Sequence, residues 1–326
     1  MSADRLLADI GGTNARFAWQ PGPGRPIEQR ITLPCAEYAS LAEAVHHYLR
    51  IIGREPPTQC AIAIATPVLG DEVRMTNHHW SFSTRELQGR FGFGTIKVLN
   101  DFTALALGLP GLDAAQLRRI GGGAADVGQA VALIGPGTGL GVGGLLPVRA
   151  TDGTVGHVPV QGEGGHVTLA ARSAREQAVL AEIGRRWGHV SAERVLSGPG
   201  LMNLHRALAR LAHPTAPEPE FEAAEITAAA LAGDPLCAQV LQLFSSFLGN
   251  VAGNLALTLG ARGGVYLGGG IVPRLHGWLE RSDFRAAFED KGRFASYLAP
   301  IPVWLIASTH SPALEGAARA LDTDLR

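Results

Sequence analysis

The sequence predicts an α/β protein with mixed sheets, and three observations carry that expectation. Asp9-Ile10-Gly11-Gly12-Thr13-Asn14-Ala15-Arg16 is a glycine turn set between two apolar stretches, Leu6 to Ala8 and Phe17 to Trp19, which read as strands. Short apolar runs then alternate with segments of helical spacing as far as the C-terminus. Ala130 to Ile134, the turn Gly135-Pro136-Gly137-Thr138-Gly139-Leu140-Gly141 and Val142 to Leu146 repeat the strand, Gly/Thr turn, strand pattern of the opening. That echo suggests two related halves. A chain of 326 residues is long enough for two domains with substantial cores.

The elements follow in order. Leu41 to Ile52 has the spacing of an amphipathic helix. Cys60 to Ala65, closed by Thr66-Pro67, is an unbroken apolar run of the kind buried on both sheet faces. Ser83-Thr84-Arg85-Glu86 is a capping box, opening a helix that stops at Gly92. Ile96 to Asn100 reads as a strand followed at once by a helix, Phe102 to Leu109. Pro110-Gly111 is the expected domain junction, which puts residues 1–110 with 308–326 in one domain and 111–307 in the other. Ser173-Ala174-Arg175-Glu176 is a second capping box, starting a helix that runs to about Trp187. Pro235 to Leu259 is long and apolar, with Asp234 as N-cap and Pro235 at the first helical position. Its Gln239, Gln242, Ser245, Ser246, Asn250 and Asn254 indicate a core helix rather than a membrane span. Val265 to Leu267 and Val303 to Ile306 read as late strands, and Pro312 to Leu321 as the closing helix.

Composition excludes several classes of function. Hydrophobic residues make up 46% and charged residues 17%, the balance of a folded globular chain. A net charge of −1, with no basic block, gives no electrostatic reason to expect nucleic acid or a membrane as partner. Cys35, Cys60 and Cys237 are too far apart for a CxxC site and odd in number, and Cys60 and Cys237 read as apolar filler. The N-terminus shows no signal-peptide core, so the expected location is cytoplasmic.

The opening turn has the chemistry of a nucleotide site. Adjacent glycines let the backbone approach a ligand and aim amide N–H groups at its phosphates, Thr13 adds a hydroxyl, and Asp9 offers a carboxylate for Mg2+, directly or through water. A simple glycine hairpin with a surface acid fits the same residues. Gly139-Leu-Gly141-Val-Gly-Gly144 matches GxGxxG, with Glu163 downstream. A dinucleotide site needs a helix after the glycines, whereas Leu-Leu-Pro-Val-Arg and then Asp152-Gly153 read as strand and turn. Asn100-Asp101 sits where a strand gives way to a helix, the edge of a sheet where ligands collect. An N-cap is the plain alternative for Asp101. Glu163-Gly164-Gly165-His166 puts an acid and an imidazole around two glycines, as a turn or as part of a zinc site lacking an obvious third ligand. Glu193, after Ser191, reads as a residue of a helix's first turn. His78-His79, expected to point apart, receive no role.

Taken together, these segments resemble one family. The opening motif, Met75-Thr-Asn-His78, Leu99-Asn-Asp-Phe-Thr-Ala104, Gly137-Thr-Gly-Leu-Gly141, Gly162-Glu-Gly-Gly-His166, Val190-Ser-Ala-Glu-Arg-Val-Leu-Ser-Gly-Pro-Gly200, Gly268-Gly-Gly-Ile-Val-Pro-Arg274 and Phe284 to Phe294 are similar, in the same order, to the bacterial glucokinases. Pro136 and Ala8 depart from the family pattern without removing a turn glycine or a functional side chain.

The resemblance implies an actin-like (ribonuclease H-like), two-domain hexokinase-type fold around an interdomain cleft. It also implies ATP- and Mg2+-dependent phosphorylation of glucose at the 6-hydroxyl, feeding glycolysis, by a homodimer. Asn100, Asp101, Glu163, His166 and Glu193 would bind the sugar, with Asp101 as catalytic base. ATP would meet Asp9, Ile10, Gly11, Gly12, Thr13, Asn14, Gly137, Thr138, Gly139, Gly269, Gly270 and Ile271, with Asp9 positioning Mg2+.

Three other readings compete. The first is a kinase of another hexose; the cysteine-rich zinc motif of the repressor/sugar-kinase family is missing, which argues against that branch. A sugar-sensing regulator would need a helix-turn-helix ahead of Asp9, and eight residues precede it. An actin-like ATPase would need no sugar pocket.

Overall fold

Buried, unbroken apolar strands determine the architecture in a computed structural model that describes residues 4–76, 78–149, 153, 155–215, 220–275, 277–308 and 310–323. The chain divides into two units: residues 1–113 with 157–159 and 308–326, and residues 114–156 with 160–307.

The first unit is built on a five-stranded sheet. Its strands are β1 (Arg5–Ile10), β2 (Asn14–Gln20), β3 (Glu28–Pro34), β4 (Gln59–Ile64) and β7 (Thr95–Asn100), in the order β3-β2-β1-β4-β7. A small hairpin adds β5 (Glu72–Arg74) and β6 (Ser81–Ser83). β1 and β2 pair antiparallel through the glycine turn, while β1, β4 and β7 run parallel. β1 is buried along its whole length, as a strand covered on both faces must be.

Helix α1 (Leu41–Ile52) buries Leu41, Val45, Tyr48 and Leu49 against one sheet face, and α2 (Thr84–Phe91) adds Leu87 and Phe91. Both helices have a serine N-cap accepting a backbone N–H three residues on, and both end at a left-handed glycine, Gly53 or Gly92. The other face is covered by α3 (Asp101–Gly108) and the closing helix α11 (Pro312–Asp322), which cross at small residues. A Cβ on Gly316 would collide with the Ala104 carbonyl, and one on Gly108 with the Pro312 carbonyl. Glycine is required there by close approach of the two backbones.

Apart from residues 157–159 of β11, the second unit carries a six-stranded sheet of β8 (Leu117–Arg119), β9 (Val131–Pro136), β10 (Leu140–Arg149), β11 (Val155–Gly162), β12 (Val265–Leu267) and β13 (Val303–Ile306). Its order is β11-β10-β9-β12-β13-β8. β10 continues as a strand directly after the Gly137–Gly139 turn, so the GxGxxG match has no dinucleotide-binding helix behind it. Of the expected turn beyond β10, Asp152 lies outside the described residues.

Helices α4 (Ala174–Trp187), α5 (Gly198–Ala212), α6 (Ala223–Leu231) and α7 (Pro235–Leu259) pack into one core with the sheet. The short α8 (Trp278–Arg281), α9 (Phe284–Glu289) and α10 (Ala295–Leu298) complete it. α7 is long and apolar enough to cross a membrane, yet 78% of its apolar window is buried inside the protein. The close approach of α9 explains part of that: a Cβ on Gly249 or Gly253 would run into the Phe284 or Phe288 carbonyl. Cys35, Cys60 and Cys237 are all free and buried.

Candidate active site

In the first unit the parallel strands end together. Register aligns Ile10 of β1 with Ile64 of β4, and Ile64 with Asn100 of β7, so the Gly11–Thr13 turn and Asn100-Asp101 emerge at one sheet edge. The turn is closed by the Gly11 N–H donating to the Asn14 carbonyl at 3.0 Å, and is held from outside by the Cys35 N–H on the Thr13 carbonyl at 2.8 Å. Ile10 is fully buried, whereas Gly11, Gly12 and Asn14 are half-buried and Thr13 is exposed.

Asn100, rather than Asp101, is the N-cap of α3. Its Oδ1 accepts from the Phe102 N–H at 2.9 Å and the Thr103 N–H at 3.3 Å. Asp101 is instead the first helical residue, so its role as cap is corrected: two orphan amides are already met by the preceding side chain. Its own Oδ1 accepts from the Phe102 N–H at 2.9 Å.

Burial pushes the Asp101 carboxyl up to about 6 from its ordinary 3.8, and the nearby Asp9 carboxylate adds to the rise against these hydrogen bonds. Asp9 is 8% exposed and takes an ion pair from Arg16, Nη1 to Oδ2 at 3.2 Å. Arg16 received no role from the sequence, although Asp9 and Arg16 face each other directly across the β1–β2 hairpin. A hairpin register drawn around the glycine turn is the signal that identifies it. Among the described residues no three His, Cys, Asp or Glu side chains gather as metal ligands. The Asp9 carboxylate beside the glycine turn does fit Mg2+, which takes one or two carboxylates and completes its shell with water and phosphate oxygens.

In the second unit, segments far apart in sequence are tied together by backbone hydrogen bonds. The Gly137-Thr138-Gly139 turn closes on itself, Gly137 N–H to Gly139 carbonyl at 2.8 Å, and accepts the Gly198 N–H from the start of α5 at 2.8 Å. Gly269 and Ile271 lie against the same hairpin: the Ile271 N–H donates to the Pro136 carbonyl at 3.3 Å, and a Cβ on Gly269 (φ +79°) would strike that carbonyl. Gly270 is exposed beside them.

Glu163 and His166 bracket a tight turn, with the His166 N–H on the Glu163 carbonyl at 3.0 Å and both side chains exposed. Gly165 inside that turn packs on the Leu140 carbonyl, where a Cβ would not fit. Its carbonyl accepts the Glu193 N–H at 2.8 Å, and Glu193 Oε2 accepts the Leu140 N–H at 2.9 Å. Glu193 therefore joins the Glu163–His166 turn to the phosphate-type hairpin.

Glu193 is not in the first turn of a helix. Residues 192–197 form turns, and the helix begins at Gly198 under a Ser197 cap. Ser191 still accepts a hydrogen bond from the Arg194 N–H at 3.3 Å, but the chain is drawn away by pairing of Thr168 with Ser191. His78 and His79 do not point apart: their rings lie 4.2 Å from centroid to centroid, with His78 edge-on to Trp80. Asn77 of the same motif lies outside the described residues.

A family model described as Glucokinase matches residues 6–324. A glucokinase of Aromatoleum aromaticum is 55% identical over 98% of this chain and 95% of its own length, and one of Chromobacterium violaceum is 51% identical over 97% and 89%. The crystal structure of a glucokinase from an Antarctic psychrotroph superposes with a TM-score of 0.88 at 36% identity, covering 99% of this chain and 100% of that one. With its two mixed sheets and its paired glycine turns the chain has the fold of such a protein and close similarity to these sequences, and it belongs to the glucokinase family.

Proposed function

We propose that this protein transfers the γ-phosphoryl group of ATP to the 6-hydroxyl of D-glucose. The observation that supports this most is Asp101, a carboxyl held near pH 6 at a sheet edge, one residue from an amide and close to the phosphate-type turn. A base poised just below neutral pH is ionised at working pH yet still takes up a proton readily.

Glucose presents only hydroxyls, so its recognition calls for directional acceptors and donors. Asn100, Asp101, Glu163, His166 and Glu193 supply them. Asp101 accepts the proton of the 6-hydroxyl as that oxygen bonds to the γ-phosphorus; the bond from phosphorus to the β–γ bridging oxygen breaks, and its electron pair leaves on ADP. Gly11 and Gly137 close their turns with their own N–H groups, so the N–H groups of Gly12 and Thr13 and of Thr138 and Gly139 would meet the phosphates, and Gly269 to Ile271 the nucleoside. Mg2+, held through Asp9, would neutralise charge on the phosphates when bound. The family resemblance adds a cytoplasmic homodimer acting at the entry to glycolysis.

A coupled assay with ATP, Mg2+ and a panel of hexoses tests the reading. Glucose turnover is expected, with loss in Asp101→Asn. Turnover of another hexose but not glucose would overturn the substrate assignment, and no turnover on any sugar would overturn the reaction.

A further inference from the structure

The chain carries almost no net charge, yet one surface of the second unit concentrates positive charge. A trench of about 370 Å³ runs between α4 and α5, and four of its nine lining residues are arginines, Arg185, Arg186, Arg206 and Arg210, against one acid, Glu182. Glu182 is already engaged: its Oε2 takes Arg185 Nη1 at 2.8 Å. Among the described residues, Arg186, Arg206 and Arg210 have no carboxylate partner.

Two of these three have an ordinary reason for their place. Arg186 and Arg210 occupy the last turns of α4 and α5, where cations complement the carbonyl ends. Arg206 does not. It is half-buried in the body of α5, one turn before Arg210, an arrangement of like charges that costs the helix stability. Trp187 forms one wall and is kept in place by Arg194, whose guanidinium carbon stands 3.7 Å from the ring centroid.

We propose that this trench binds a compact polyanionic phosphate compound. Guanidinium forks match phosphate oxygens two at a time and stay charged at every physiological pH, and three forks without a carboxylate partner around a small concavity suit two linked phosphate groups better than a lone carboxylate. A second cavity of about 310 Å³ shares Arg186, Trp187, Asn203 and Arg206 with the trench and extends to Thr138 and Glu193. An anion in the trench therefore sits next to the candidate phosphate hairpin without occupying it. The proposal does not rest on the kinase reading.

Calorimetric titration of the intact protein with inorganic pyrophosphate and, separately, with fructose 1,6-bisphosphate tests it. At least one probe is expected to bind saturably at one site per chain, and the double variant Arg206→Gln/Arg210→Gln to weaken it about tenfold or more. Whichever probe binds identifies the source as a phosphate chain or a phosphorylated sugar. Circular dichroism of the variant checks that it is folded, and its ATP affinity is expected to stay within about twofold of wild type. Absence of binding by both probes, equal binding by the double variant, or a parallel loss of ATP affinity would each overturn the proposal.

Discussion

Asp101 shows how much one residue's role depends on its neighbours. The sequence marks an acid at a strand-to-helix junction, where capping and catalysis are both open. Asn100 takes the cap, which leaves the Asp101 carboxyl to a buried setting beside Asp9. Replacing it by Asn removes the base and is expected to lower kcat by roughly 10²–10⁴, read in the coupled assay, with the circular dichroism spectrum unchanged.

The raised carboxyl has two consequences with pH. Activity should fall as pH drops through about 6, because the base becomes protonated. Stability moves the other way. The unfolded group ionises near 3.8 and the folded one near 6, so the native state holds the extra proton in that window and loses stability as pH rises through it. Asp101→Asn, which cannot ionise, should therefore melt no lower than wild type at pH 7.5. A clear drop in melting temperature there would contradict the burial argument. Glu193→Gln keeps an acceptor for the Leu140 N–H but removes a charge, and is expected to weaken glucose far more than ATP in calorimetry. A loss confined to ATP would place Glu193 with the nucleotide instead.

At the scale of elements, capping and periodicity were legible in the sequence, because both are local. The expected serine caps at Ser83 and Ser173 and the stop at Gly92 occur where side-chain oxygens and a left-handed glycine satisfy helix ends, and the structure adds a cap at Ser40. Ser191 has the same local chemistry but starts no helix, since its neighbour across the chain is Thr168. The packing of α3 on α11 is equally non-local. Gly316→Ala should lower stability by about 1–3 kcal/mol through collision with the Ala104 carbonyl. Gly89→Ala, in α2 with open space around it, should be neutral or gain about 0.5–1 kcal/mol. Chemical denaturation of the two variants beside wild type checks the contrast.

For the whole molecule, the cores are the relevant unit. Leu6, Phe17, Tyr48, Ile62 and Trp80 belong to one buried cluster, and Ile134, Leu204, Phe244, Phe247 and Phe284 to another. Each unit has a buried apolar cluster of its own, so a single two-state transition is not expected of such a chain. Differential scanning calorimetry should give a calorimetric enthalpy larger than the van't Hoff enthalpy. Equality of the two would mean that the units unfold as one.

The sequence by itself determined the elements with clear local signals, the strands around the two glycine turns and the helices opened at Ser83, Ser173 and Asp234, because propensity, capping and hydrophobic period act over a few residues. Tertiary structure alone decided how those residues meet. Glu193 reaches the Leu140 amide 53 positions away, and the Gly269 turn presses on the Pro136 carbonyl. Asp101 acquires its proton affinity from burial and from Asp9. Such couplings depend on sheet order and on close backbone approach, which no local pattern encodes, and they set the field and geometry in which the chemistry takes place.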